Sequence, residues 1–143
     1  MSGVTKGLGQ WLALRVSVEP QRLRLGDRGK LVVEVEIPSD CHIEAHEPSE
    51  PFLVPTELSV EPVEGVLFGP VRYPPAEEKR FDWSPVVLRV YGGTIQLQAT
   101  VEVATDAPTG PRLFRCRLSY QGCTPSACLM PSSQTVDVEL EVG

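Results

Sequence analysis

Apolar and polar side chains alternate with a period of two along most of this chain, and proline or glycine interrupts the alternation repeatedly. Leu12, Leu14, Val16 and Val18 alternate with Ala13, Arg15 and Ser17 and stop at Pro20. After Gly26–Asp27–Arg28–Gly29, read as a turn, Leu31, Val33, Val35 and Ile37 take one face and Glu34 and Glu36 the other. A period of two puts each set on one side of a strand, whereas a helix needs apolar residues three and four positions apart. Val86–Tyr91 reads as a strand, Gly92–Gly93 as a turn, and Ile95, Leu97, Ala99, Val101 and Val103 as the inward side of a long strand, so the pair is expected to form a hairpin. Phe114, Cys116, Leu118 and Tyr120 then face inward against Arg115, Arg117 and Ser119, and Val136, Val138, Leu140 and Val142 repeat the pattern at the end. With 14 prolines and 12 glycines among 143 residues there is little room for helix, and the chain is expected to be all-β. Residues 47–85 are the least regular, with eight prolines and the aromatics Phe52, Phe68, Tyr73, Phe81 and Trp83.

The length suits one domain, residues 1–143, with residues 1–10 read as disordered or added. A chain of this size buries roughly two-thirds of its unfolded surface, so it needs no disulfide merely to fold. Thirteen basic against 19 acidic residues give a net charge of −6 without a Lys/Arg cluster, which excludes nucleic acid as a partner. No apolar run reaches the length of a membrane span, and residues 1–15 lack the apolar centre of a signal peptide. The opening Met1–Ser2–Gly3 is compatible with an export signal having been replaced, and equally with a cytoplasmic protein.

Chemistry concentrates at Tyr120–Gln121–Gly122–Cys123–Thr124–Pro125–Ser126–Ala127–Cys128–Leu129–Met130–Pro131, expected to be a proline-stiffened loop after a strand. In the chain-entropy model a bridge over so short a loop gives only about 2 kcal/mol, against roughly 4.5 kcal/mol for one between Cys41 and Cys116. Cys123 and Cys128 are thus poor as a staple but suited to reversible thiol–disulfide exchange, which needs an accessible sulfur and a nearby resolving one. Cys41 and Cys116 fall on inward faces, as buried free thiols, as a cross-sheet disulfide or as participants in the redox chemistry. Paired CxxC knuckles are absent, which argues against structural zinc. In Cys41–His46, alternation puts His42, Glu44 and His46 on one face, either as a metal-binding trio, as a solvated polar surface, or with His42 near the dithiol favouring its thiolate when protonated. Glu77–Trp83 is polar around Phe81 and Trp83 and reads as a lid over the reactive pair or as two ordinary core anchors.

Tyr120–Gln121–Gly122–Cys123 followed by Cys128 and Pro131 resembles the YQ(A/G)C…C…P signature of the N-terminal, immunoglobulin-like periplasmic domain of DsbD thiol:disulfide interchange proteins and their stand-alone relatives. Leu25–Gly29, Asp40–Ala45, Tyr73–Pro74 and Val90–Gly93 match in the right order, and the resemblance covers roughly residues 14–140. It implies an immunoglobulin-like antiparallel β-sandwich whose single redox pair takes electrons from a membrane-embedded donor through a thioredoxin-like domain and passes them to periplasmic proteins. Carried onto this chain, Cys128 forms mixed disulfides and Cys123 resolves them. Residues 77–84 correspond to the family's cap, with Phe81 the first choice for the covering aromatic and Trp83 the second, and His42, Glu44 and Tyr120 are expected near the pair. Aromatics found there in some members are replaced around Cys41–Glu44, and Cys41 and Cys116 are additional thiols. The expectation is an extracytoplasmic monomer that relays electrons to thioredoxin-like partners without metal or organic cofactor. The alternative is a binding or structural module of the same fold with inert cysteines.

Overall fold

Each alternating segment finds its place according to which of its faces is apolar. The protein is described by a computed structural model over residues 11–143 and, for the backbone alone, Gly3–Thr5. The strands are β1 (Gly3–Thr5), β2 (Ala13–Glu19), β3 (Arg22–Leu23), β4 (Arg28–Glu36), β5 (His42–Glu44), β6 (Glu57–Val60), β7 (Val66–Phe68), β8 (Glu77–Lys79), β9 (Leu88–Tyr91), β10 (Thr94–Val103), β11 (Gly110–Cys123) and β12 (Cys128–Val142). One sheet runs β1-β2-β4-β10-β7 and the other β3-β12-β11-β5-β9-β8, with β6 also alongside β11. All pairings are antiparallel except that of β3 with β12. The result is the immunoglobulin-like antiparallel sandwich expected from the resemblance.

The core lies between the sheets. Leu14, Val16, Val33, Leu97 and Val101 from the first sheet meet Phe114, Leu118, Val138 and Leu140 from the second, all buried. Each such side chain, fully buried, contributes about 1.5–3 kcal/mol. The inward and outward assignments along β2, β4, β11 and the end of β12 agree with the alternation.

Several expectations are corrected. β9 and β10 do not form a hairpin: β10 pairs with β4 along its length and with β7 at Val101–Val103, in the opposite sheet from β9. Gly93, at φ +68°, instead carries the chain from one sheet to the other. β9 is apolar on both faces, with Leu88 and Val90 on one side and Tyr91 on the other, because its sheet is covered on both sides. The irregular stretch 47–85 contributes the short strands β6, β7 and β8. The loop expected after Tyr120 is a tight hairpin, β11–β12, closed by the Thr124 N–H to the Ala127 carbonyl at 2.8 Å. Cys41 is only half-buried, and it and the buried Cys116 are both free thiols, so the cross-sheet disulfide is not formed. The expectation of disorder or an added segment at residues 1–10 falls, apart from the backbone of Gly3–Thr5, outside the described residues.

Candidate functional site

A second, smaller apolar cluster lies on the far side of the second sheet from the main core: Leu53, Phe81, Leu88, Val90 and Cys123, with Trp83 and Cys128 packed against it. Strict alternation explains only half of this. On β11 Phe114 to Tyr120 point inward at even positions, so Gln121 and Cys123 point outward. On β12 the even positions Val136 to Val142 also point inward, and unbroken alternation would turn Cys128 inward too. The register shifts between Gln121↔Pro131 and Cys123↔Cys128, two residues on β11 facing three on β12. This bulge re-aims Cys128, so both sulfurs emerge on one face as a directly opposed pair.

β5 flanks the pair on the other side, with His42 directly opposite Cys123. Glu44, two residues on, reaches the same face and is fully buried. The Cys123 thiol donates to Glu44 Oε2 at 3.0 Å, while Glu44 Oε1 is buried without a hydrogen-bond partner. Gln121 holds the other sulfur: its Nε2 donates to Cys128 Sγ at 3.2 Å and to the Leu129 carbonyl at 3.0 Å, and its Oε1 accepts from the Val54 N–H at 2.8 Å.

Burial differs sharply between the two thiols. Cys123 has no exposed surface, whereas Cys128 is partly open. Burial pushes the Cys123 pKa well above the ordinary thiol value, and the hydrogen bond and charge of Glu44 push it further. Cys128 is also raised, by burial and then by the Glu44 charge, but the hydrogen bond from Cys123 draws it back. Burial likewise raises the Glu44 carboxyl, opposed by its bond to Cys123. The donor atoms of Glu44, Cys123 and Cys128 lie within 4.8 Å of one another, close enough to touch one cation.

The segment after β8 closes over this face. Phe81 is 4% exposed, tilted against Trp83 at 5.0 Å between ring centroids and edge-on to His42 at 5.6 Å. Trp83 Nε1 donates to the Thr124 carbonyl at 3.1 Å, tying the segment to the turn between the cysteines. Lys79 Nζ lies 5.8 Å from the Phe81 ring centre, and Glu77 Oε1 is 3.3 Å from His42 Nε2. His42 fits because Gly92 lacks a side chain: a Cβ there would come within 2.8 Å of the imidazole.

Some sequence expectations require revision. Glu44 is not on a solvated face, because Phe81 and its neighbours cover that side of β5. Burial and then Lys79 lower the His42 pKa, so its imidazole is uncharged at neutral pH and does not supply the expected positive charge. His46 is turned elsewhere, stacked on Tyr73 at 3.6 Å with its Nδ1 at 2.9 Å from the Thr56 carbonyl, so the His42/Glu44/His46 trio does not assemble. Tyr120 belongs to the main core, where it stacks on Trp11 and donates to Gln134 Oε1 at 2.8 Å. Gln121 and Leu53 were not singled out as site residues. The i, i+2 spacing of Gln121 and Cys123 would have pointed to Gln121, but nothing local marks Leu53.

Beside Cys128 lies an open groove of about 410 Å³, walled by Phe52, Leu53, Trp83, Val86, Leu88 and Gln121. Phe52 is 77% exposed at its edge, and Met130, beyond the pair, is 85% exposed. No helix among the described residues is long and apolar enough to cross a membrane.

The N-terminal periplasmic domain of ScsB from Proteus mirabilis shares this fold, with a TM-score of 0.65 and 12% identity over 94% of this chain. This chain covers 49% of that one, about half its length. The reduced DsbD N-terminal domain of Neisseria meningitidis gives a TM-score of 0.51 and 19% identity, over 78% of this chain and 77% of that one. No curated protein sequence matches. Residues 10–140 match the family described as thiol:disulfide interchange protein DsbD, N-terminal, and since that is nearly the whole chain, it belongs to this family.

Proposed function

We propose that this domain works outside the cytoplasm as an electron relay, its Cys123/Cys128 dithiol exchanging with disulfides of thioredoxin-like partners and being re-reduced from a membrane-embedded donor. The observation that carries this reading is the opposed pair itself, one sulfur sealed and the other open beside an apolar groove. Exchange requires an attackable sulfur and a protected neighbour that resolves the mixed disulfide. Cys128 takes the first role because it borders the groove. Cys123 takes the second because no partner can reach it without displacing Phe81. Gln121 supports the assignment, since an N–H donor to a sulfur favours its thiolate. The groove and the exposed Phe52 and Met130 offer apolar contact for a partner whose own cysteine sits at an apolar surface.

Trapping tests the roles. Cys123→Ser should accumulate a mixed disulfide with an oxidised thioredoxin-like protein through Cys128, and Cys128→Ser should trap little. Equal or better trapping by Cys128→Ser would reverse the roles. The potential of the pair is expected above about −300 mV, because structural disulfides lie below that value. A much lower potential would favour a module with inert cysteines.

A further inference from the structure

Resolution of a mixed disulfide requires the sealed sulfur to lose its proton, and Cys123 is buried where water cannot take it. Besides Cys128, its partner in the exchange, one titratable side chain among the described residues reaches that thiol: Glu44, whose Oε2 accepts its hydrogen bond at 3.0 Å. A purely structural acceptor would be expected to have both oxygens paired, as nearly all buried polar atoms are. Glu44 instead leaves Oε1 without a partner in the buried site. No lysine or arginine pairs with it among the described salt bridges. The other titratable or charged groups on this side include Cys128 on β12, His42 on β5, Glu77 and Lys79 on β8, and Glu50 at the groove beside Cys128. Of these Glu77 binds His42, which is itself uncharged, and Lys79 lies over the outer Phe81 ring.

We propose that Glu44 is a catalytic residue of the exchange reaction, the general base that takes the proton of Cys123 Sγ as that sulfur attacks Cys128 Sγ in the mixed disulfide. The proposal rests on the relay reading above. With the dithiol as donor, the Cys128 thiolate first attacks a partner disulfide. One Cys128–partner S–S bond forms and the first partner sulfur departs as a thiolate. Cys123 then forms the Cys123–Cys128 bond while the Cys128–partner bond breaks, and the electron pair leaves on the second partner sulfur. The Cys123 proton moves to the Glu44 carboxylate and from there to that leaving thiolate. Two electrons pass to the partner, whose disulfide becomes one thiol and one thiolate, the thiolate taking from solvent the proton that Cys128 released on ionising, and the domain is left oxidised with Glu44 ionised again. In the return direction the protonated Glu44 delivers the proton to Cys123 as it leaves.

Charge explains why a carboxylate suits this position. Proton transfer within the Cys123–Glu44 pair keeps that pair at a single negative charge throughout, whereas loss of the proton to solvent would leave two buried anions 3.0 Å apart. Burial, by raising the carboxyl, also brings its proton affinity closer to that of the thiol it must deprotonate.

The test uses the full chain in a Cys41→Ser background, so that only the pair reacts, with dithiobis(nitrobenzoate) as the disulfide. The first coloured thiolate reports attack by Cys128, and the second, at a rate independent of reagent concentration, reports resolution by Cys123. In the parent, resolution should fall off towards acid pH as Glu44 becomes protonated. Glu44→Gln keeps the shape and an acceptor for the thiol but cannot take its proton. It should leave the first release within a few-fold and slow the second roughly a hundredfold at neutral pH. Its resolution rate should climb steadily with pH, because hydroxide then removes the proton. Glu44→Asp, which retains the carboxylate, should restore the acid fall-off and part of the rate. Resolution by Glu44→Gln at the parental rate with the parental pH profile would overturn the proposal. So would slowing in both variants with an unchanged profile, which would mark Glu44 as structural. If the parent itself released no second thiolate, the relay reading would fall, and this proposal with it.

Discussion

A fully buried carboxyl with one unpaired oxygen has consequences for stability as well as for chemistry. The Glu44 pKa is raised in the fold by burial. Below its unfolded value, about 4.3, both states hold the proton and the group is neutral to stability. As pH rises from there to the folded pKa, the unfolded chain releases its proton first, so the fold loses stability; above the folded pKa the loss is constant. Glu44→Gln should therefore unfold at higher urea than the parent at neutral pH, with the gap narrowing as pH falls towards 4, and a gap that widens in acid would contradict the assigned shift. His42 offers a second check. Gly92→Ala would put a Cβ against its ring, which also packs edge-on to Phe81. That variant should lose about 1–3 kcal/mol, by the cost of overpacking, and expose the pair to alkylation. At this scale the sequence was partly legible. Cys123, Cys128 and Phe81 announce themselves by type and spacing, and His42 and Glu44 by lying two apart on one strand. The burial of Glu44 was hidden, because alternation tells which side a residue faces and not what covers that side.

Among elements, the covering segment and the bulged hairpin decide how the pair is presented. Phe81→Ala removes the ring that seals Cys123 and should raise the alkylation rate of the reduced thiols about tenfold or more, as expected when a locally stable cover opens. Trp83→Phe removes only the donor to the Thr124 carbonyl and should give a smaller increase. No change in either variant, followed by mass spectrometry after a timed pulse of iodoacetamide, would show that the segment does not guard the thiols. The alternation on β2, β4, β10, β11 and β12 could be read directly. The bulge could not, because the shift arises from a mismatch of two residues against three across the ladder. Nor could the change of sheet at Gly93, since a Gly-Gly between two apolar runs looks the same whether its strands pair with each other or with strands far away in sequence.

For the molecule as a whole, stability and reactivity reside in different apolar clusters on opposite sides of one sheet. Phe114→Ala in the main core should cost about 3–5 kcal/mol, measured by urea unfolding, while leaving thiol alkylation in the native state nearly unchanged. The sandwich was legible because its core comes from long alternating strands. The smaller cluster was not, because it gathers Leu53, Phe81, Leu88 and Cys123 from four separate stretches with no shared period. Such separation gives the outer cluster an unusual freedom. Residues around the thiols can be exchanged for others that welcome a different protein, or hold the dithiol at a different potential, while the sandwich underneath keeps the stability it needs to survive the trial.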